Sequence, residues 1–333
     1  MLRHSSDSEP GYSRKRIGRY WAYFDGDKRV TDRATIDRLN AIALPPAYKD
    51  AWFCKDPDGH LQATGIDDRG RKQYRYHPDF RAKAEASKFA GLVEFGRALP
   101  KIRRKVDKDL RKRALSKDKV LAAVVRLLDD DFLRIGNREY AKENKSFGAT
   151  TLLSRQVHDD GRKVRMRFKG KSGVEHEVTI TDRTLRRLVR QLQELPGQLL
   201  FQYVNGDGNP HPINSGEVND YIREASGGEF TAKHFRTWGA SVLAFEQMIK
   251  KAEGKRLSVV TMIEPVAEAL GNTVAISRKA YVHPALIAAV KEQPRDPLNG
   301  MERPRSRKWL SDCEVGLLQF LTKRTRKAKT AAA

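Results

Sequence analysis

The sequence predicts an α+β protein with a small, mainly β amino-terminal domain and a larger, mainly helical domain interrupted by a β-hairpin. Three observations predict this. The first 80 or so of the 333 residues are rich in Pro, Gly and aromatics and hold short alternating stretches. From Phe80 onward apolar residues recur at three- and four-residue spacing. Between the helical stretches, RKVRMRF and VEHEVTI alternate with period two, the signature of paired strands.

In the first part, Ala51-Trp52-Phe53 and Leu61-Gln62-Ala63-Thr64 are separated by the turn-like DPDG and DDRG, which gives a small sheet. QYRYHP, residues 73–78, sets Gln73, Arg75 and His77 alternately with Tyr74 and Tyr76 on a strand. Such a strand can read base edges while its Arg touches phosphate, or can simply have two faces. The pattern changes near residues 78–88, which gives domains of 1–82 and 83–333.

In the second part, Leu99, Ile102, Val106 and Leu110 line one helical face, and KDKVLAAVVRLL forms the next helix. In the hairpin, Val164, Met166 and Phe168 alternate on one strand, and Val174, His176, Val178 and Ile180 on the other. Its connection KGKSG puts Lys171 at the tip of a basic loop. DRTLRRLVRQLQEL, NSGEVNDYIREA and TAKHFRTWGASVLAFEQMI are helices, the second opened by Asn214 and Glu217 at capping-box spacing. LSVVTMIEPVAEALG is a helix that Pro265 should kink or break. SRKAY is a short helix stopped by Pro284.

Composition narrows the function. Lys plus Arg number 65 against 42 Asp plus Glu, a formal charge of +23 spread along the chain, so a polyanionic partner is expected. Only Cys54 and Cys313 occur, far apart and away from any His pair at ligand spacing. That argues against a disulfide framework and a zinc site and fits a reducing cytosol. No run of about 18 apolar residues occurs and the start lacks the apolar core of a signal peptide, so an intracellular, cytoplasmic location is expected. Both ends, MLRHSSDSEPGYS and KRTRKAKTAAA, read as mobile tails.

Taken singly, the polar residues that stand out have ordinary readings. A Tyr such as Tyr281 is usually a packed ring with its hydroxyl in water. Arg236, in a helix that is otherwise apolar, meets either an anion or an internal carboxylate. Arg134 follows Asp129-Asp130-Asp131, three acids that point in different directions and read as a solvated helix end better than as a metal site.

Taken in order, these segments resemble one family. PPAYKDAWFCKDPDGHLQATGIDDRGRKQYRYHP, LRIGNREYAKEN, RFKGKSGVEHE, KHFRTWGAS and ISRKAY are similar to the type IB DNA topoisomerases of the small bacterial and poxvirus branch, over about residues 15–292. The resemblance implies a fold shared with tyrosine recombinases and a catalytic set of Arg134, Lys171, Arg236 and Tyr281. The fifth position departs from the poxvirus pattern: nine residues before the tyrosine stands Asn272 instead of His, as in bacterial members. Asn donates a neutral hydrogen bond and carries no proton near neutral pH, so transition-state stabilisation and no acid–base role is expected of it.

The implied reaction is attack of Tyr281 on a phosphodiester to give a 3′-phosphotyrosyl link, rotation of the free strand and religation, without ATP, metal or cofactor. Two guanidiniums suit the charge on the phosphoryl oxygens, and a Lys beside other cations suits the proton needed by the leaving 5′-oxygen. Lys72, Gln73, Tyr74, Arg75, Tyr76 and Tyr140 are the implied DNA-binding residues, on a monomer whose lobes clamp the duplex. No membrane and no small-molecule substrate is expected. Two other readings remain: a tyrosine recombinase, which normally has H-x-x-R where this chain has His234-Phe235-Arg236, and an architectural DNA-binding protein without catalysis.

Overall fold

The computed structural model describes residues 2–68, 70–206, 208–250, 255–302 and 304–332, apart from the side chains of 84–87, 140 and 325–332. It divides into two compact units, Met1–Ala90 and Gly91–Ala333. The division falls after a helix within which the sequence pattern puts the change, at 82/83.

The first unit runs β1 (Gly11–Ile17), β2 (Tyr20–Asp25), β3 (Lys28–Arg29), α1 (Arg33–Ala41), β4 (Lys49–Cys54), β5 (Leu61–Ile66), β6 (Lys72–Tyr76) and α2 (Pro78–Ala90). The strands form one antiparallel sheet in the order β3-β2-β1-β4-β5-β6. Asp32 caps α1 by accepting from the Thr35 N–H at 2.8 Å, and Leu39 and Leu44 then bury against Tyr23, Phe53 and Ala63 of the sheet. Tyr23 meets Phe53 edge-on at 5.3 Å and donates its hydroxyl to Asn40 Oδ1 at 2.9 Å, so its polar end is satisfied.

The amino-terminal segment expected as a mobile tail is instead bound to this sheet. Arg3 bridges to Gly59, and buried Ser5 accepts from the Leu61 N–H and donates to the Leu61 carbonyl, both at 3.0 Å. Asp7 accepts from Thr64 Oγ1 at 3.1 Å and pairs with Lys72. Short polar side chains thus satisfy groups along β5 and β6 that would otherwise need water.

The second unit contains α3 (Leu92–Leu110), α4 (Lys117–Asp130), α5 (Arg138–Asn144), β7 (Val157–Asp159), β8 (Val164–Lys169), β9 (Glu175–Ile180) and α6 (Arg183–Gln193). There follow β10 (Gln202–Val204), β11 (Pro210–Pro212), α7 (Ser215–Ser226), α8 (Ala232–Lys250), α9 (Val259–Leu270), α10 (Val274–Ala280), α11 (Pro284–Glu292) and α12 (Asp312–Ala332). The expected hairpin is β8–β9, with Val164 opposite Ile180 and Lys169 opposite Glu175; β7 adds a third strand beside β8. The expected capping box is present at α7: Asn214 Oδ1 accepts from Glu217 N at 3.0 Å while Glu217 accepts from Asn214 N at 2.8 Å.

α4 is buried almost all round, with Val120 through Val125, Leu127 and Leu128 in the core, which makes it the central helix of the unit. α8 crosses the core through Trp238, whose ring lies where a Cβ on Gly96 of α3 would be 2.3 Å away. Only glycine admits that approach.

Three expectations are corrected here. Asp129 is no solvated helix end: Arg103 binds it at 2.7 and 2.9 Å and binds Glu314 of α12 at 2.7 and 2.8 Å. Burial would raise the Glu314 carboxyl, but Arg103 and the Trp238 indole N–H, 3.0 Å away, hold it below the usual range. α12 buries Val315, Leu317, Phe320 and Leu321 and continues as a helix to Ala332 through the segment expected as a tail, whose side chains from 325 on lie outside the described residues. Pro265 does not break α9, which runs from Val259 to Leu270, because burial of Met262, Ile263, Val266 and Ala267 around it offsets the lost backbone bond. Finally, α10 ends at Ala280 without help from Pro284, which opens α11 at its first turn, where a missing N–H costs nothing.

Candidate active site

The β8–β9 turn is closed by the Gly170 N–H donating to the Val174 carbonyl at 2.7 Å and the Gly173 N–H to the Gly170 carbonyl at 3.1 Å. Ser172 and Gly173 both take left-handed backbone conformations, φ 65° and 76°, so the chain reverses tightly and leaves Lys171 exposed at the tip. Lys171 lines a cleft of about 410 Å³ together with Arg134, Ser172, Val174, Gly271, Asn272, Thr273, Ile276 and Tyr281.

Arg134 lies in an extended segment after α4. That segment is clamped by its neighbours: the Arg134 carbonyl accepts from the Ala149 N–H, and the Ile135 carbonyl from the Thr150 N–H, both at 2.8 Å. Gly148 permits the contact, since a Cβ there would stand 2.5 Å from the Arg134 carbonyl oxygen. Asn272 is delivered by the end of α9. Gly271 caps the helix in the left-handed region at φ 61°, and the Asn272 N–H turns back to the Ala267 carbonyl at 2.9 Å. Asn272 Oδ1 then accepts from Arg134 Nη2 at 2.9 Å, while its buried amide nitrogen meets no acceptor among the described residues.

Arg236 projects from α8 and is buried. It donates to the Phe132 carbonyl and, at 3.0 Å, to the Leu270 carbonyl, so it joins the segment leading to Arg134 to the end of α9. Gly239, one turn on, is what lets Phe132 pack there: a Cβ would fall 2.0 Å from its ring. Burial, and after it the charge of Arg134, push the Arg236 guanidinium down to about 10. The internal carboxylate considered from sequence is not what this side chain meets; two backbone carbonyls hold it.

Tyr281 caps α10 just after its last residue, its N–H donating to the Ser277 carbonyl at 3.0 Å. Ser241 of α8 donates to the Thr237 carbonyl at 2.9 Å and accepts from the His283 N–H at 3.1 Å, which pins the chain just past the tyrosine. The Tyr281 ring lies 5.1 Å from the Arg236 guanidinium carbon. Burial would raise the phenol, but Arg236 and then Arg134 outweigh it through charge and hydrogen bonds to the phenol, which sits below its ordinary value. The arrangement therefore holds a phenol whose charged form is favoured beside two guanidiniums, an amide donor and a lysine, a set suited to in-line displacement at a phosphate.

The residues expected to contact DNA are on β6, in the other unit. Lys72, Tyr74 and Tyr76 share its exposed face, the two rings stacked at 6.2 Å and 12°. Gln73 and Arg75 are on the opposite face and already have partners: Gln73 donates to Asp67 at 2.9 Å, Arg75 to the Ala43 carbonyl at 3.3 Å. Lys72 is paired with Asp7 and lies over the Tyr74 ring. Tyr140 is on α5, and its side chain lies outside the described residues. Sequence reasoning did not single out Ser241, Gly239 or His176 for the site. His176 shows in the sequence only as an inward position of an alternating strand.

The model for the eukaryotic DNA topoisomerase I catalytic core matches residues 77–296, and that for the bacterial DNA topoisomerase IB amino-terminal domain matches residues 20–67. DNA topoisomerase 1B of Acanthamoeba polyphaga mimivirus is 32% identical over 272 residues, 78% of this chain and 81% of the viral protein. DNA topoisomerase 1B of Vaccinia virus (strain Copenhagen) is 23% identical over 278 residues, 79% of this chain and 84% of its own. Among solved structures, the XerH site-specific recombinase in a post-cleavage complex with its palindromic difH substrate has a TM-score of 0.37 at 18% identity, covering 56% of this chain and 47% of that one. With its catalytic-core match over most of the chain and a viral relative 32% identical and aligned over 81% of its length, the chain belongs to the type IB DNA topoisomerase family.

Proposed function

We propose that this topoisomerase acts as a monomer on duplex DNA and cuts one strand through Tyr281. The observation that carries the reading is the Tyr281 phenol held below its ordinary value by Arg236 and Arg134, in one cleft with Lys171 and Asn272. The phenol loses its proton to water and attacks as phenolate. A bond forms between its oxygen and phosphorus as the bond to the 5′-oxygen breaks. Arg134, Arg236 and the Asn272 amide bind the phosphoryl oxygens, where charge accumulates. The leaving 5′-oxygen, strongly basic as an alkoxide, takes a proton from the Lys171 ammonium. The free strand then rotates, and the 5′-hydroxyl reverses the step because the phosphotyrosyl diester conserves the bond energy. The scheme uses no ATP and no metal.

On the amino-terminal unit, the exposed rings of Tyr74 and Tyr76 and the ammonium of Lys72 support a role for β6 in touching DNA. The half-buried Gln73 and Arg75 reach DNA in this reading only by exchanging their present partners. Relaxation of a supercoiled plasmid that carries no recombination site tests the whole. The wild type should relax it with chelator present, and Tyr281→Phe should bind it and leave it supercoiled. Relaxation by the pure Tyr281→Phe variant would refute the reading.

A further inference from the structure

The Lys171 turn and the Asn272 loop come from different elements, yet one side chain touches both. His176 of β9 faces inward and stacks on its cross-strand partner Phe168 at 5.4 Å and 18°. A Cβ on Gly170 would fall 2.6 Å from its Cδ2 and 2.7 Å from its Nε2; a Cβ on Gly271 would fall 2.8 Å from its Cε1. The imidazole therefore lies between two glycines, each immediately preceding a residue of the site. Gly271 needs its left-handed conformation to cap α9, but Gly170 has an extended backbone, φ −90° and ψ −163°, that any residue adopts. Its lack of a side chain is explained by the ring.

We propose that His176 is a positioning residue, a wedge whose thickness sets the separation of Lys171 from Asn272 and so places the ammonium at the leaving oxygen while Arg134 and Asn272 hold the phosphate. Val174 and Gly271 form the cleft wall in front of the ring, so the wedge acts through the backbone of the two glycines. Burial, then Arg134 and Arg236, push the imidazole below its ordinary value and so disfavour its charged form. A third cation there would compete with the phosphate-binding pair. The inference rests on the roles proposed above for Lys171 and Asn272.

The test is single-turnover cleavage of two suicide substrates, one with the ordinary 5′-oxygen and one with sulfur in its place. The thiolate leaves with little proton help. His176→Ala should cleave the ordinary substrate on the order of 10²-fold more slowly, the cost of about an ångström of misplacement, and should recover most of that loss on sulfur, with DNA affinity and melting temperature near wild type. A general structural defect would slow both substrates alike. Wild-type cleavage by folded His176→Ala, or equal defects on the two substrates, would overturn the proposal. If His176→Ala does not fold, Gly170→Ala carries the same test, since its backbone tolerates alanine and its methyl displaces the ring; it too should be slow on oxygen and recover on sulfur, and a wild-type rate would sink the wedge. Lys171→Ala is run beside them. Recovery of Lys171→Ala on sulfur together with normal cleavage by His176→Ala would remove the wedge alone, whereas no recovery of Lys171→Ala would remove both the lysine's role and the wedge.

Discussion

Arg134 Nη2 donates to Asn272 Oδ1 at 2.9 Å, and this bond decides which end of the amide faces a substrate. With its oxygen occupied, Asn272 has only its amide nitrogen to offer, and that nitrogen is buried without an acceptor among the described residues. A phosphoryl oxygen would supply one. Asn272→Ala should therefore slow single-turnover cleavage on the order of 10²-fold, as deleting one transition-state donor usually does, with DNA binding preserved. Asn272→His, which also donates, should lose less. An unchanged rate in Asn272→Ala would take the residue out of the site.

The guanidiniums also set the pH profile. Arg236 and Arg134 favour the charged form of Tyr281 more than burial disfavours it, so at any given pH more phenolate is present than on a free tyrosine. Cleavage should rise with pH and level off below the ordinary phenol value. In Arg236→Ala the inflection should move upward as the rate falls. An inflection that stays in place would mean that the profile reports a group other than Tyr281.

Glu314 joins α12 to the core through Arg103 and Trp238, and its partner Asp129 remains when it is removed. Glu314→Gln leaves a half-buried guanidinium with one carboxylate in place of two and should destabilise the fold by about 2 kcal/mol. The folded carboxyl lies below its ordinary value, so its stabilisation is full above the unfolded value and is lost as pH falls through the folded one. Thermal melts of both proteins between neutral and acid pH check this. The wild type should lose its advantage on acidification, and a constant difference would contradict the network.

How much of this was legible in the sequence depends on the range of the interaction. The β8–β9 hairpin, the Asn214–Glu217 capping box and the face of α3 are local patterns, written in spacings of two, three and four residues. The segments holding Arg134, Lys171, Arg236 and Tyr281 stood out as ordered motifs and Asn272 by its offset from the tyrosine, although nothing in spacing shows that a cleft gathers Arg134, Lys171, Asn272 and Tyr281. What was not legible depends on partners far along the chain. Ser5 and Asp7 look like tail residues until β5 and β6 offer them unpaired groups. Asp129 looks solvated until α12 brings Glu314 to the far side of Arg103. Pro265 looks like a break until packing on both sides of it is known. His176 reads as one more inward residue of a strand, since its two glycine neighbours come from separate elements.

Binding should be strongly ionic. With +23 of formal charge and Lys72 on the exposed face of β6, phosphate contacts should release counterions, and affinity should fall roughly 10³-fold as salt rises from about 50 mM to about 200 mM. Lys72→Ala should lower the slope of log affinity against log salt by about 1 if it meets a phosphate, and leave it unchanged if it serves only Asp7. Tyr74→Ala should weaken binding with little change in slope. Fluorescence anisotropy titrations at several salt concentrations separate these outcomes.

The claim on which all else rests is that the oxygen of Tyr281 becomes bonded to the 3′-phosphate of a cut strand. Denaturing the enzyme during turnover should trap that link, and digestion with trypsin should leave the DNA end on the peptide 280–291, whose one tyrosine is Tyr281. Mass spectrometry of the DNA-linked peptide reads the site directly. The account predicts a 3′-phosphate on Tyr281 and no adduct from Tyr281→Phe; a link at any other residue, a 5′-phosphate at the junction, or an adduct formed by the Phe variant would contradict it.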